Sequence, residues 1–168
     1  MTFSQSIITC FQKYFTFSGR ASRSEYWWFF LFTVLGGFVA GLLEGFINAA
    51  AGTPGGPTLL SGAFNLATFI PGLAAGWRRM HDSGRSGLYL LYPMIAIIGL
   101  SVFIGMFGGA DMLEGSDPSA LFEGVFGLVV IVSLIVVVLS PFIVLFWLTR
   151  PSQPGSNIYG PNPHEVSP

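Results

Sequence analysis

The sequence predicts an all-α membrane protein with four transmembrane helices, an N-terminal amphipathic interfacial helix and both termini in the cytoplasm. Its composition is the first reason. Only 9% of the 168 residues are charged and 52% are hydrophobic, whereas about 25% of the residues of a soluble domain are charged. Their distribution is the second reason, because the apolar residues form four long runs and all seven lysines and arginines lie outside those runs.

The first fifteen residues predict the amphipathic helix. Its apolar side would carry Phe3, Ile7, Ile8, Phe11, Tyr14 and Phe15, and its polar side Gln5, Thr9, Gln12 and Lys13. This spacing favours a helix lying along the cytoplasmic interface, with docking of its apolar face onto the bundle or a partner helix as the alternative. The stretch lacks the pattern of a secretory signal peptide, so the first span is expected to stay as an anchor. Cys10 is expected to be a small apolar residue on a helix face.

Four apolar runs are long enough to cross a hydrocarbon core, which takes roughly 20 helical residues. They cover residues 26–47, 59–77, 88–109 and 125–148, within a single predicted domain of residues 1–163 that is followed by a flexible end at 164–168. Ser22 and Glu25 before the first run form the pattern of a helix-capping box. Gly37, Gly41 and Gly45 give this span a flat strip for another helix.

The positions of the basic residues predict the orientation. In a four-span chain they all fall on one side: Lys13, Arg20, Arg23, Arg78, Arg79, Arg85 and Arg150. The positive-inside rule then places both termini and the predicted polar loop at 77–87 in the cytoplasm. The other side would carry a proline- and glycine-rich loop at 49–58 and an acidic segment with Asp111, Glu114, Asp117 and Glu123. That segment lacks the ligand order of a calcium loop and is expected to be a solvated run of charges.

Three polar segments that share the cytoplasmic face supply the candidate site. Its residues are Arg20, Arg23, Glu25, Arg78, Arg79, His81, Asp82, Arg85, Asn157 and Tyr159. Guanidinium groups form bidentate pairs with phosphates or with carboxylates. Two interpretations follow: the site binds anionic lipid headgroups or another ligand, or the arginines set the topology and pair with Glu25 and Asp82.

Other functions have weaker support in the sequence. His81 and Asp82 could supply a general base, but no nucleophile motif or phosphate-binding loop accompanies them, so we expect a non-enzymatic protein with no cofactor and no metal site. Glu44 and Asn65 lie within predicted spans, which leaves open a small oligomeric transporter or channel subunit. Asn65 is more simply explained by a hydrogen bond to a neighbouring helix. Candidate partners are membrane lipids, a second copy of the chain or another membrane protein, and the net charge of −1 suggests no nucleic acid.

Three stretches together resemble a known family. They are residues 17–28 (Phe-Ser-Gly-Arg-Ala-Ser-Arg-Ser-Glu-Tyr-Trp-Trp), residues 78–87 (Arg-Arg-Met-His-Asp-Ser-Gly-Arg-Ser-Gly) and residues 155–163 (Gly-Ser-Asn-Ile-Tyr-Gly-Pro-Asn-Pro). In this order they resemble the small bacterial inner-membrane proteins grouped as domain of unknown function 805. The resemblance implies a four-span protein of the inner membrane with no assigned activity.

The same resemblance implies a set of functional positions. It includes every candidate residue already given except Arg85, and it adds Tyr26, Gly84, Ser86, Gly87 and Gly160. Two residues depart from the family pattern. Met80 stands where leucine is usual, and Ile158 stands where a basic residue is common, which removes a cation that could contact phosphate.

Overall fold

A computed structural model of the chain describes residues 1–107 and 122–165. Its helices are α1 (Phe3–Gln12), α2 (Arg23–Ala50), α3 (Leu59–Asp82), α4 (Tyr92–Phe107) and α5 (Gly124–Thr149), with a 3₁₀ turn at Gly87–Leu91 before α4. Four segments are long and apolar enough to cross a membrane: Arg23–Ala50, Leu59–Asp82, Gly87–Phe107 and Gly124–Thr149. The described residues contain no β-strand. The predicted all-helical, four-span class is thereby confirmed.

The largest difference from the predicted elements lies at the end of α3. Residues 77–87 were expected to form a polar loop, but the helix continues through Asp82. Charge alone does not end a helix, and the signal that does is Gly84, whose φ of 76° is left-handed. Asp111, Glu114 and Asp117 of the predicted acidic segment lie outside the described residues.

The chain divides into two compact units. The first combines residues 1–87 with the segment from residue 150 onward, and the second is residues 88–149. The second unit pairs α4 with α5, where Phe103 stacks on Phe126 with ring centroids 5.2 Å apart. The prediction of a single domain over residues 1–163 stays a prediction.

Helices α2 and α3 pack closely in the first unit because one glycine admits an aromatic ring. A Cβ on Gly36 would lie 2.2 Å from the ring of Phe64. The predicted glycine strip contributes less to this contact than expected. Only Gly37 of that strip approaches α3, and a Cβ on Gly41 or Gly45 would meet nothing within 4 Å.

Helix α1 packs against both α2 and α3 through its small residues. Ser6 and Cys10 are completely buried, and the Ser6 hydroxyl donates to the Ser24 carbonyl at 3.3 Å. Phe11 and Phe15 on the predicted apolar face remain exposed. The apolar face is nevertheless engaged in part, because Ile7 packs against the buried core and the Phe11 ring contacts those of Phe29 and Phe32.

Helix starts in the first unit are satisfied by side chains. Ser22 caps α2 by accepting a hydrogen bond from the Glu25 amide at 3.2 Å, which is half of the predicted capping box, since the Glu25 carboxylate is engaged with Arg78 instead. Glu44 caps α3 by accepting hydrogen bonds from the Leu60 amide at 2.7 Å and the Ser61 amide at 3.3 Å. Glu44 thus has a structural partner, which weakens its support for a transport role.

Pro71 and Pro141, which lie in the interior of α3 and α5, each have a compensating hydroxyl nearby. A helical proline lacks the N–H that would bond the carbonyl four residues earlier, and an unpaired carbonyl is costly in a membrane. The carbonyl freed by Pro71 belongs to Ala67, and the Tyr14 hydroxyl donates to it at 3.0 Å. The carbonyl freed by Pro141 belongs to Val137, which accepts from the Ser140 hydroxyl at 3.0 Å.

Candidate functional site

The end of α3 positions the central motif. The Gly84 amide donates to the His81 carbonyl at 3.0 Å and the Arg85 amide to the Met80 carbonyl at 3.0 Å. This pair of bonds around a left-handed glycine is a Schellman motif, which satisfies the last carbonyls of a helix. Arg78, Arg79, His81 and Asp82 therefore project from a rigid final turn rather than from a loop.

Asp82 is the centre of a buried ion-pair network. Its side chain is completely buried, and its Oδ1 accepts from Arg20 Nε at 2.9 Å. Its Oδ2 accepts from Arg79 and from the Ser152 hydroxyl. A buried carboxylate is stable only with such a full set of donors. Here the donors come from the first two polar segments and from Ser152, which lies just before the third.

Arg20 ties the first segment to the C-terminal tail. Its Nη2 donates to the Gln153 carbonyl at 2.6 Å, and its Nη1 donates to the Gly155 carbonyl at 2.7 Å. Arg79 likewise donates to the carbonyl of Arg150. The guanidinium groups of Arg20 and Arg79 are buried and already donate to several acceptors within the protein, so they are not available to a ligand.

Arg78 forms a second buried node. Its Nη2 donates to Glu25 Oε1 at 2.8 Å, and its Nη1 donates to the Thr16 carbonyl at 2.6 Å and the Lys13 carbonyl at 3.3 Å. Both charged side chains are almost fully buried. The Arg78 Nε has no hydrogen-bond partner among the described residues. This node ties the end of α1 and the start of α2 to the end of α3.

Backbone carbonyl oxygens help to balance the charge of the network, in which positively charged groups outnumber carboxylates. The network sets the three guanidinium groups of Arg20, Arg78 and Arg79 against the two carboxylates of Glu25 and Asp82. The excess positive charge is met by the carbonyl oxygens of Lys13, Thr16, Arg150, Gln153 and Gly155. Hydrogen bonds to a charged donor are about twice as strong as neutral ones. The arrangement is therefore held by the fold of three segments together.

His81 contacts the tail instead of Asp82. Its Nδ1 lies 3.0 Å from the Gly19 carbonyl, and its ring stacks on Tyr159 with centroids 3.8 Å apart and planes 3° apart. The Asn157 side chain donates to the His81 carbonyl at 3.0 Å. Asp82 faces the arginines, so His81 and Asp82 do not form an acid–base pair with each other.

Most of the predicted site residues come together. Those that meet are Arg20, Glu25, Arg78, Arg79, His81, Asp82, Asn157 and Tyr159. Arg23 is exposed and takes no part in the ion pairs of Asp82 and Glu25. Arg85 Nη1 donates locally to the Ser83 carbonyl at 3.1 Å. No group of three metal-ligating side chains occurs within residues 1–107 and 122–165.

Sequence reasoning missed the residues that complete the network. Ser152 reaches Asp82 with its hydroxyl, and its neighbour Gln153 supplies both a carbonyl to Arg20 and an amide to the Asp82 carbonyl at 2.9 Å. The only available signal was their position directly after Arg150. Backbone acceptors leave no trace in residue type, so the pattern could not reveal them.

Cys10 is buried beneath the network and is chemically protected. It packs with Phe29 and Ala75 in the core of the first unit. Burial, with a contribution from the nearby Glu25 charge, raises the pKa of the Cys10 thiol to about 12. The thiolate is the reactive form, so this cysteine is expected to be inert at neutral pH.

Similar proteins support a membrane location and leave the activity unassigned. Over 93 residues, the chain is 36% identical to the inner membrane protein YhaH of Escherichia coli K12, covering 55% of this chain and 75% of that protein. Over 119 residues it is 34% identical to the inner membrane protein YhaI of the same organism, covering 68% of this chain and 95% of that protein. No solved structure matches the chain.

A family model matches a region that contains the first two polar segments and most of the third. It is that of the protein of unknown function DUF805, and it matches residues 14–161. The matched region begins at the end of α1 and includes the Asp82 and Arg78 nodes and the Tyr159 turn. The sequence resemblance is thus confirmed over most of the chain, which belongs to the DUF805 family.

Proposed function

We propose that this chain is a non-catalytic, multi-pass protein of the bacterial inner membrane whose cytoplasmic head binds anionic lipid headgroups. The head is the end of the first unit formed by residues 13–25, 78–85 and 150–163. The location of the protein in the inner membrane is supported by the names of its two relatives, both inner membrane proteins. Its orientation is supported by the seven basic residues, which fall on one side of a four-span chain and favour the cytoplasm by the positive-inside rule.

The observation that carries this proposal is that the head keeps two exposed basic residues although its buried arginines are paired internally. Arg20, Arg78 and Arg79 are at most 7% exposed, and their bonds to carboxylates and carbonyls fix the head instead of recruiting a ligand. The bases left for phosphate are Lys13 and Arg23. Both are exposed, and neither side chain has a hydrogen bond or ion pair within residues 1–107 and 122–165.

Helix α1, which directly precedes Lys13, carries exposed apolar side chains of the kind that insert into a membrane surface. Ile8 of α1 is 56% exposed, and Phe15, three residues past the end of α1, is 74% exposed. An amphipathic helix with such residues lies in the interface, with its apolar side among the upper acyl chains. Each base near an anionic leaflet contributes about 1 kcal/mol of binding free energy. We expect α1 and the two bases to act together on the same leaflet.

Lipid retention tests this proposal directly. The protein would be reconstituted in mixed phosphatidylglycerol and phosphatidylcholine, and the retained lipid measured by native mass spectrometry. We expect the Lys13→Gln and Arg23→Gln changes each to weaken phosphatidylglycerol retention roughly fivefold, and added salt to weaken it further. Arg23→Lys is the matched control, because it keeps the charge and should keep the affinity. Unchanged retention in the doubly neutralised protein would refute lipid binding by the head.

The orientation has its own test. Green fluorescent protein fused after residue 168 should fluoresce in cells, and alkaline phosphatase fused at the same point should stay inactive. An active phosphatase fusion would place the head outside the cytoplasm and would remove the proposed leaflet.

A second candidate function, recognition of a partner protein, rests on one residue of the tail. Ile158 is 89% exposed at the tip of a turn that Asn157 and Gly160 close with two backbone bonds of 3.0 Å. The stack of Tyr159 on His81 holds this turn on the head. A preorganised apolar anchor of this kind suits a protein interface. A photo-crosslinking residue in place of Ile158 should give one defined adduct in cells. The same residue in place of Glu165 is the control and should give none. Equal crosslinking at the two positions would exclude a specific interface.

A further inference from the structure

A groove on the membrane-spanning part of the first unit lies between α2 and α3. It has a volume of about 530 Å³ and is lined by Tyr26, Phe30 and Thr33 of α2 and by Asn65, Phe69 and Leu73 of α3. The lining residues recur every three or four positions on each helix, so each helix contributes one continuous face. The groove thus runs along the helix pair, and its elongated shape could accommodate a helix or an acyl chain.

One polar group in this groove lacks a partner. Asn65 is exposed, and its side-chain amide makes no hydrogen bond to any residue that the structure describes. It lies six residues after the start of α3, which is about 9 Å into the span. The neighbouring hydroxyls differ, because Thr33 donates to the Phe30 carbonyl at 2.7 Å and Thr68 donates to the Phe64 carbonyl at 2.8 Å. An amide facing hydrocarbon without a partner is unfavourable.

The surface around Asn65 lets another backbone come close. A Cβ on Gly37 would lie 3.4 Å from Asn65 Oδ1, and a Cβ on Gly41 or Gly62 would meet nothing within 4 Å. Gly37 and Gly41 follow Thr33 at four-residue spacing and so continue the α2 side of the groove. Small residues around a polar one are typical of helix–helix interfaces in membranes, where close approach allows a hydrogen bond between helices.

We propose that this groove is an interface between two copies of the chain, in which Asn65 of each copy pairs with Asn65 of the other. The amide carries both a donor and an acceptor, so it is complementary to itself. Two-fold symmetry places a residue near the axis against its own copy. A lipid acyl chain fills the groove equally well by shape but offers no hydrogen-bonding group to Asn65. The pairing is independent of lipid binding by the head.

Dimerisation in a bilayer measures the contribution of Asn65. The dissociation constant would be obtained from energy transfer between labelled full-length chains in liposomes at varied protein-to-lipid ratio. Asn65→Leu should weaken dimerisation roughly threefold to thirtyfold for each hydrogen bond lost. Leu35→Ala is the matched control, since Leu35 is exposed and lies two residues from both Thr33 and Gly37, on the opposite side of α2. This control should keep the wild-type constant.

A second variant separates docking from folding. Gly41→Ile adds a side chain where a Cβ meets open space, so the monomer should fold with unchanged thermal stability while the dimer weakens at least tenfold. Phe69→Cys in a Cys10→Ala background keeps Asn65 and should form disulfide-linked dimers on mild oxidation, because Phe69 lines the same groove and is exposed. Leu35→Cys in the same background should not.

Three results would overturn the proposal. Wild-type protein that stays monomeric at every protein-to-lipid ratio would mean that lipid or another part of the same chain covers the groove. A dimer whose constant is unchanged by both Asn65→Leu and Gly41→Ile would place the interface elsewhere. Crosslinking that is equal for Phe69→Cys and Leu35→Cys would show only random collision.

Discussion

The two ends of the α2–α3 pair each bury a carboxylate but satisfy it in different ways. At the end that carries the polar segments, Asp82 accepts from Arg20, Arg79 and Ser152, which are spread over the whole length of the chain. At the other end, Glu44 accepts from the Leu60 amide and from the amide and hydroxyl of Ser61, which open the next helix. The first carboxylate joins distant segments and the second only starts a helix.

This difference predicts unequal consequences when each carboxylate is removed. Loss of Asp82 would leave two guanidinium groups buried without their counter-charge, and an uncompensated buried charge is among the most destabilising changes known in proteins. Loss of Glu44 would leave backbone N–H groups in the first turn of α3, where water at the membrane surface can replace the carboxylate. The head should therefore be the most sensitive part of the molecule to single substitutions.

Asp82→Ala is expected to have the largest effect. It should lower the free energy of unfolding by about 3–5 kcal/mol, because Arg20 and Arg79 stay buried and unpaired. SDS titration of the protein in detergent micelles would measure the loss. Glu123→Gln serves as the control, since Glu123 is exposed, and its unfolding midpoint should not move. A loss below about 1 kcal/mol for Asp82→Ala would mean that the network does not hold the head together.

Arg78→Lys should have the next largest effect. The guanidinium group reaches Glu25 and the Thr16 carbonyl with different nitrogen atoms, and the single ammonium group of lysine cannot reproduce that fork. Loss of one charge-assisted bond should cost about 1.5–3 kcal/mol in the same titration. Arg23→Lys makes the same chemical change at an exposed site and should be neutral. Equal effects at the two positions would contradict the buried node.

Much of the membrane-spanning fold could be predicted from the sequence, because a helix that crosses the hydrocarbon core needs an apolar run of roughly 20 residues. The start of α2 is signalled by Ser22, which caps it. The sequence predicts that α3 ends at Trp77, five residues before its actual end at Asp82, because a run of charged residues is typical of a loop. Gly84 carried the correct signal, since a glycine just after a helix permits the left-handed residue that ends it.

The composition of the candidate site could be predicted, but its connectivity could not. The arginines and their two carboxylates were identified from residue type, and pairing with Glu25 and Asp82 was one of two interpretations. Which arginine meets which carboxylate depends on how α1 and the tail fold over the end of α3. Ser152 and the carbonyl of Gly155 have no distinguishing pattern, because their role comes from position alone.

Glu44→Gln tests the other end of the helix pair. The amide keeps an oxygen acceptor for the Leu60 N–H but removes the charge that favours the start of a helix. We expect the loss in unfolding free energy to be roughly a third or less of that caused by Asp82→Ala. Gln5→Ala is a useful reference, because Gln5 also caps a helix start, that of α1, at an exposed position. A loss as large as that of Asp82→Ala would show that the two ends are energetically alike.

Tyr14→Phe is expected to have the smallest measurable effect and examines the region between the two ends. The change removes only the hydroxyl that donates to the Ala67 carbonyl, the group that Pro71 leaves without its helical partner. A neutral hydrogen bond contributes about 0.5–1.5 kcal/mol to stability, and α1 should loosen from α3 as it is lost. Tyr159→Phe is the matched control, because it keeps the ring on His81 and removes a hydroxyl with no hydrogen bond within the described part of the chain. If Tyr14→Phe is neutral in a Pro71→Ala background but destabilising in the wild type, the hydroxyl acts through the carbonyl that the proline frees.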